Sequence, residues 1–347
     1  MRVWGWVRKL ELYEGIGIVV SVLCVIGFFA LGDEIDAKQG EPGWHWYPLS
    51  WIWAIYRTFI PKALVCALLG LGLLGWIREA RREKNNWRLA WKPGLRWGVG
   101  QTLTVARFGL PFCVLLIIYR ALDFYIPLFS PVDRDGWLLK VDAWMFGGVQ
   151  PSVWLEPLIR PWLTDYLSFV YMIWFPMIFF TLLLMMLKSR EAVSGYVAAA
   201  LFAFYIGYVS YTIVPAVGPL YSLADTYTTS LSGGAITEMQ RAVVTSQQDM
   251  NVSRDCFPSL HTAISCVMLY FVWTYRRKWL WLYAPLVVSI LVSTIYLRYH
   301  YVIDVLAGIG LAALTCWLGR AGTAWWQVRV QPSADRKRKK ATNGVVS

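Results

Sequence analysis

Long apolar runs separated by short polar connections dominate this chain. Eight of them, about 15–31, 54–76, 104–128, 166–187, 192–214, 259–276, 279–297 and 300–319, carry few or no charges. Each approaches the roughly 20 residues that a helix needs to cross a hydrocarbon core about 30 Å thick. Inside a bilayer every backbone N–H and C=O must be satisfied within the segment, and a helix does this for runs of such length. The pattern predicts an all-α fold, a polytopic transmembrane helical bundle. The first run follows Arg2, Arg8 and Lys9. It is longer than a signal-peptide core and lacks a following A-x-A site, so it reads as an uncleaved anchor.

Composition agrees with the pattern. The chain is 57% hydrophobic and 16% charged, where soluble domains carry about a quarter charged residues. The net charge of +12 raises nucleic acid as a partner, but the basic residues alternate between connections instead of lining one face. Arg78, Arg81, Arg82, Lys84, Arg88, Lys92 and Arg96 follow the second run, and Lys188, Arg190, Arg276, Arg277, Lys278 and Arg336–Lys340 fall on the same side. The positive-inside rule makes that side cytoplasmic, with both termini inside. The opposite connections hold Asp33, Glu34, Asp36, Glu41, Asp225, Glu238, Asp249 and Asp255. Nucleic acid is therefore not expected as a partner. The sequon Asn251-Val252-Ser253 lies in an outward connection.

Six cysteines show no C-x-x-C pair and no framework spacing, so neither a disulfide set nor a zinc site is expected, and no cofactor. The aromatic segment Gly43–Trp53 reads as an interfacial belt, and Gly70, Gly72 and Gly75 as close helix packing. The organisation expected is 1–103 as N-terminal spans with a basic loop, 104–319 as the working core, and 320–347 as a basic tail.

The chemistry gathers at a few positions. Of three histidines, two fall at outer ends of predicted spans, in Phe257-Pro258-Ser259-Leu260-His261 and in Tyr299-His300-Tyr301-Val302-Ile303-Asp304. Pro258-Ser259 reads as a helix start, where first-turn N–H groups receive an anion. His300 and Asp304 are four apart, so a helix would place them on one face. The carboxylate then fixes the imidazole tautomer, His300 serves as nucleophile towards phosphorus, and His261 works as general acid and base. Either histidine alone reads equally as an interfacial anchor. Asp304, inside an apolar run, is a functional candidate with His300 as its partner.

These residues resemble the type 2 phosphatidic acid phosphatase superfamily. Pro258-Ser259-Leu260-His261 is similar to its P-S-G-H motif with Leu260 for Gly, and His300 and Asp304 match the end of S-R-x5-H-x3-D. The resemblance covers about 104–319 and implies a six-helix core, preceded here by two further spans, with a metal-independent phosphohistidine mechanism. Ser293-Thr294 stands where the family has Ser-Arg, and Tyr211-x6-Gly218-Pro219 where it has K-x6-R-P. The missing cations are expected to be replaced by Arg254 and Arg298, because a phosphate dianion calls for charge-assisted donors. Tyr211, Gly218 and Ser259 complete the expected substrate contacts. The stretch from Val214-Pro215 to Gly218-Pro219, with the two histidine motifs, looks like the branch that includes inositol phosphorylceramide synthases. That implies transfer of a phosphoryl headgroup from a lipid to an alcohol, with hydrolysis of a lipid phosphate by water as the other outcome. A lipid-binding protein or transporter on the same scaffold is the alternative of a different class.

Overall fold

The computed structural model describes residues 10–40, 42–84, 86–247 and 253–330. The basic tail, Arg2, Arg8, Lys9 and the Asn251-Val252 part of the sequon lie outside the described residues. Each of the eight predicted runs is taken up by one helix, to within two residues at its ends: α1 Leu12–Gln39, α2 Tyr47–Arg82, α3 Trp87–Phe129, α5 Pro161–Met186, α6 Arg190–Ile213, α8 Leu260–Tyr275, α9 Leu280–Tyr296 and α10 Val302–Arg329. Between them stand the shorter α4 Asp135–Met145 and α7 Ala235–Gln247. Among the described residues, six helices are long and apolar enough to cross a membrane. Large apolar side chains such as Trp273, Trp281, Val288 and Trp317 point outward and are more than half exposed. In water that surface would be a liability; lipid is its matching solvent.

The helices group into two units. In the first, Val20–Ala121, α2 and α3 approach through glycines: a Cβ on Gly98 would stand 2.6 Å from the Cα of Gly72, and one on Gly75 would run into the Gly94 carbonyl. Gly72 and Gly75 thus serve close packing as expected, while Gly70 faces open space. Asp36 accepts from the His45 ring at 2.9 Å and from the Gly43 N–H at 2.7 Å, which ties the end of α1 to the aromatic segment.

The second unit runs from Leu122 onward and includes residues 10–19. Glu11, almost fully buried, pairs with Arg190 at 2.5 Å, and Trp326 donates to the Leu10 carbonyl at 2.8 Å. At the centre stands α8, packed against α5, α6, α9 and α10. Its 16 residues rise about 24 Å, less than a full crossing; from Leu260 to Val272 they are buried or half-buried among those helices, while Trp273 near the end faces outward. Ser259 caps it by accepting from the Thr262 N–H at 3.3 Å. The helix therefore begins after Pro258, two residues later than a proline at its first position would put it. A Cβ on Gly308 would lie 2.6 Å from the Ser259 carbonyl, so α8 and α10 cross at near-contact of their backbones.

Candidate active site

Three connections meet where α8 and α10 begin. Ala216 pairs with Asp255 in a parallel bridge, and Leu138, Ala216, Cys256 and Tyr301 form a buried apolar cluster. The stretch after α6, the one before α8 and the one before α10 are thereby pressed together against α4.

Two aspartates on one face of α4 hold this arrangement. Asp135 accepts from the N–H groups of Val217 at 3.0 Å and Gly218 at 2.9 Å, and from the Tyr301 hydroxyl at 2.8 Å. Asp142 accepts from Val302 N–H at 2.8 Å and Ile303 N–H at 3.0 Å, covering first-turn donors of α10 that would otherwise be unmatched. Burial pushes the Asp142 carboxyl above the usual range, and those two N–H groups oppose the push. Gly218 has φ +86, and a Cβ there would sit 2.6 Å from the Tyr299 carbonyl; only glycine fits both demands.

His300 stands in the connection before α10 and not on the helix itself, because Tyr301 is extended. The expected shared helical face is replaced by a reach backwards. Asp304, in the first turn, accepts from Tyr301 N–H at 2.8 Å and lies 3.5 Å from His300 Nδ1 through the same Oδ2. The His300 N–H is held by the Thr294 carbonyl at 3.0 Å. Thr294, at the position of the family arginine, is buried and turns its hydroxyl to Leu291 of its own helix.

His261 is one residue into α8, with its ring centroid 6.1 Å from that of His300. It lies between Tyr171 at 4.4 Å and Trp174 at 4.3 Å, so its plane is held by two aromatic faces. Tyr171 in turn meets Tyr299 at 5.0 Å. Ser259 is fully buried and donates its N–H to the Asp304 carbonyl at 3.1 Å, linking the two histidine motifs. Tyr211 is buried, within electrostatic reach of Asp255 and Asp304.

The two expected replacement cations are both paired. Arg254 meets Asp133 at 2.5 Å. Arg298 meets Glu156 at 2.9 Å, donates to the Thr229 carbonyl at 2.6 Å and lies 3.6 Å over the Tyr227 ring, with its Nε buried and unpartnered. Helix α9 ends in a Schellman turn, with Arg298 N–H on Ile295 and Tyr299 N–H on Thr294. Arg298 takes the left-handed position at φ +68, where glycine is usual and another residue costs about 1 kcal/mol. Glu156 also accepts from Thr228 and Thr229. Burial works to raise its carboxyl; the hydrogen bonds from Thr229 and Thr228 and the Arg298 charge together outweigh it and hold the group below the usual range.

Sequence reasoning passed over Asp135, Asp142, Glu156 and Cys256. The α4 pair carried a signal: Asp135, Leu138 and Asp142 recur at helical spacing on one buried face. Cys256 carried none. Its thiol donates to Asp304 Oδ2 at 2.9 Å and lies 3.6 Å from His300 Nδ1, and burial, reinforced by the Asp304 charge, pushes it well above the ordinary thiol range. Cys256, His300 and Asp304 place their ligand atoms within 4.8 Å of one another, the arrangement among the described residues that could hold a metal ion.

The sequence is similar to known proteins over this region. The PAP2 superfamily profile matches residues 136–318. A protein named phosphoinositol dihydroceramide synthase, from Bacteroides thetaiotaomicron, is 27% identical over 208 residues, covering 54% of this chain and 67% of that protein. No solved structure matches the chain. The matched segment spans α4 to α10 and takes in both histidine motifs with their supporting loops, so the chain belongs to the PAP2 superfamily, as an integral membrane member of it.

Proposed function

We propose that this protein transfers a phosphoryl headgroup from a membrane lipid to an alcohol through a phosphohistidine on His300. The observation that carries the reading is the pairing of His300 Nδ1 with the buried Asp304 carboxylate, with His261 facing the same ring. Asp304 holds the Nδ1 proton, leaving Nε2 with its lone pair for attack on phosphorus. The Nε2–P bond forms as the P–O bond to the lipid alcohol breaks. The leaving oxygen takes a proton from His261. In the second half the neutral His261 removes a proton from the acceptor hydroxyl, whose oxygen displaces Nε2, and the enzyme returns to its starting state. Asp304 stabilises the imidazolium of the intermediate. No metal is needed for these steps.

The relative's name supports a ceramide-type lipid alcohol as acceptor and an inositol phosphate headgroup as cargo; water in the acceptor's place would make the reaction a lipid phosphate hydrolysis. Arg254 and Arg298 meet the phosphate charge, by exchanging or sharing their carboxylate partners. Arg298 is supported by its place two residues before His300 and by the left-handed backbone conformation that an arginine keeps there at a cost. By the distribution of basic connections the reaction faces the non-cytoplasmic side, with both termini cytoplasmic.

The test is purified protein in detergent with labelled phosphatidylinositol and phosphatidic acid, with and without ceramide or water as sole acceptor. Acid-labile, base-stable label on the protein is expected, absent from His300→Ala. Turnover that persists in His300→Ala overturns the mechanism. Unchanged rates in both Arg254→Ala and Arg298→Ala overturn their assignment.

A further inference from the structure

Cys256, His300 and Asp304 come together from positions 44 and 48 residues apart. Sγ, Nδ1 and Oδ2 form a triangle with edges of 2.9, 3.6 and 3.5 Å. The point equidistant from its corners lies about 1.9 Å from each, so an ion slightly out of the plane reaches the bond lengths of zinc, about 2.3 Å to thiolate and about 2.0–2.2 Å to imidazole and carboxylate. The two edges that include Nδ1 already have the span of a tetrahedral site, and the Sγ–Oδ2 edge must lengthen by roughly half an ångström to match them.

Two further observations favour a cation there. Asp304 is fully buried, and its Oδ1 has no hydrogen-bond partner, an unsatisfied acceptor of a kind that native interiors rarely keep. Asp135 and Asp255 add negative charge around Cys256. The donor set selects the ion: a thiol with an imidazole suits zinc and its neighbours, whereas magnesium and calcium take oxygen ligands.

We propose that Cys256, His300 and Asp304 bind a thiophilic divalent cation of the zinc class, and that its binding switches off phosphoryl transfer. On binding, the thiol loses its proton to solvent and the His300 proton passes from Nδ1 to Nε2, so that Nδ1 coordinates with its lone pair. The Nδ1 lone pair then serves the ion and the Asp304 charge is spent on it. Nε2, now carrying the proton, has no lone pair for attack on phosphorus, and the carboxylate no longer supports the phosphohistidine cation. Binding stands on the geometry alone; the switch rests on the proposed function.

Chelator-stripped protein in detergent is titrated with Co²⁺ while thiolate-to-cobalt charge-transfer absorption is followed. One equivalent is expected to saturate the band, with Zn²⁺ displacing it. Cys256→Ser and Cys256→Ala, each checked for monodisperse elution, should lack the band, and Asp304→Asn should need at least about tenfold more cobalt. No band in the wild-type protein, or a band that survives both cysteine substitutions, overturns the site. For the switch, Zn²⁺ should lower lipid-phosphate turnover at least about tenfold, reversibly with chelator. Half-inhibition of each Cys256 variant, measured against its own zinc-free rate, should need at least about tenfold more Zn²⁺. Equal zinc sensitivity in wild type and variants overturns the switch. Cobalt binding through Cys256 in a protein that turns over no lipid phosphate supports the site and overturns the proposed activity, so the two failures are distinct.

Discussion

The unit Val20–Ala121 and the unit that carries the histidines are both made of apolar helices, yet they are held by different means. In the first, α2 and α3 meet through Gly72, Gly75, Gly94 and Gly98, and cohesion comes from backbones brought close enough for dispersion contacts. In the second, buried carboxylates do much of the joining. Asp135 takes three donors, Asp142 two and Glu156 an arginine with two threonines. Small-residue packing holds two helices at a distance but leaves them free to slide; directed hydrogen bonds to loop N–H groups set a position to a fraction of an ångström. The histidines stand in the part built the second way, and the chemistry proposed for them would need such placement.

That contrast breaks most sharply at Asp304. Asp304→Asn keeps the side-chain shape but removes the charge that orients His300, and steady-state turnover should fall at least about a hundredfold with little change in KM. A fall of less than threefold would detach the carboxylate from the chemistry. Next is Asp142→Ala, which leaves two N–H groups at the start of α10 without their acceptor. Thermal unfolding should show a loss of about 1–3 kcal/mol, with turnover reduced through His300 although Asp142 lies outside the trio. An unchanged rate would show that α10 is placed by packing alone.

Acid tests the Glu156 clasp. Its carboxyl is held below the usual range in the folded protein, so its contribution is present above the unfolded value of about 4.3 and disappears as pH falls through the lowered folded value. The melting temperature of Glu156→Gln should sit a few degrees below wild type at neutral pH, with the two curves converging in acid. Parallel curves would remove the ion pair from the account. The smallest effect on chemistry is expected in the other unit. Gly98→Leu should cost about 1–3 kcal/mol of local packing, seen as earlier proteolysis of the α2–α3 region, while turnover per folded molecule stays within a factor of two or so.

Much of this was legible in the linear chain, for identifiable reasons. Span positions follow from the lack of water in a bilayer, which forces long uncharged runs, and one helix takes up each predicted run to within two residues at its ends. His261, His300 and Asp304 stood out because ionisable groups at the ends of apolar helices are costly and few. Local geometry was less legible. The four-residue spacing of His300 and Asp304 suggested one helical face, whereas the chain turns before α10, and Asp304 as a first-turn residue reaches back to both Tyr301 and His300. Arg298 and Arg254 were readable as cations near the motifs, but their carboxylate partners are 142 and 121 residues away, beyond any periodicity.

The sequence by itself determined a helical membrane protein, its family and the histidines with their aspartate, since hydropathy and short motifs are local properties. Only the tertiary structure decided what surrounds that trio: α4 as the brace through Asp135 and Asp142, the arginines as members of ion pairs, and Cys256 within bonding distance of His300 and Asp304. Cysteine spacing gave no sign of a metal site, because spacing records neighbours along a chain, whereas a coordination sphere collects atoms across it. Contacts of that kind form where apolar packing presses distant loops together, and they depend on the whole fold at once.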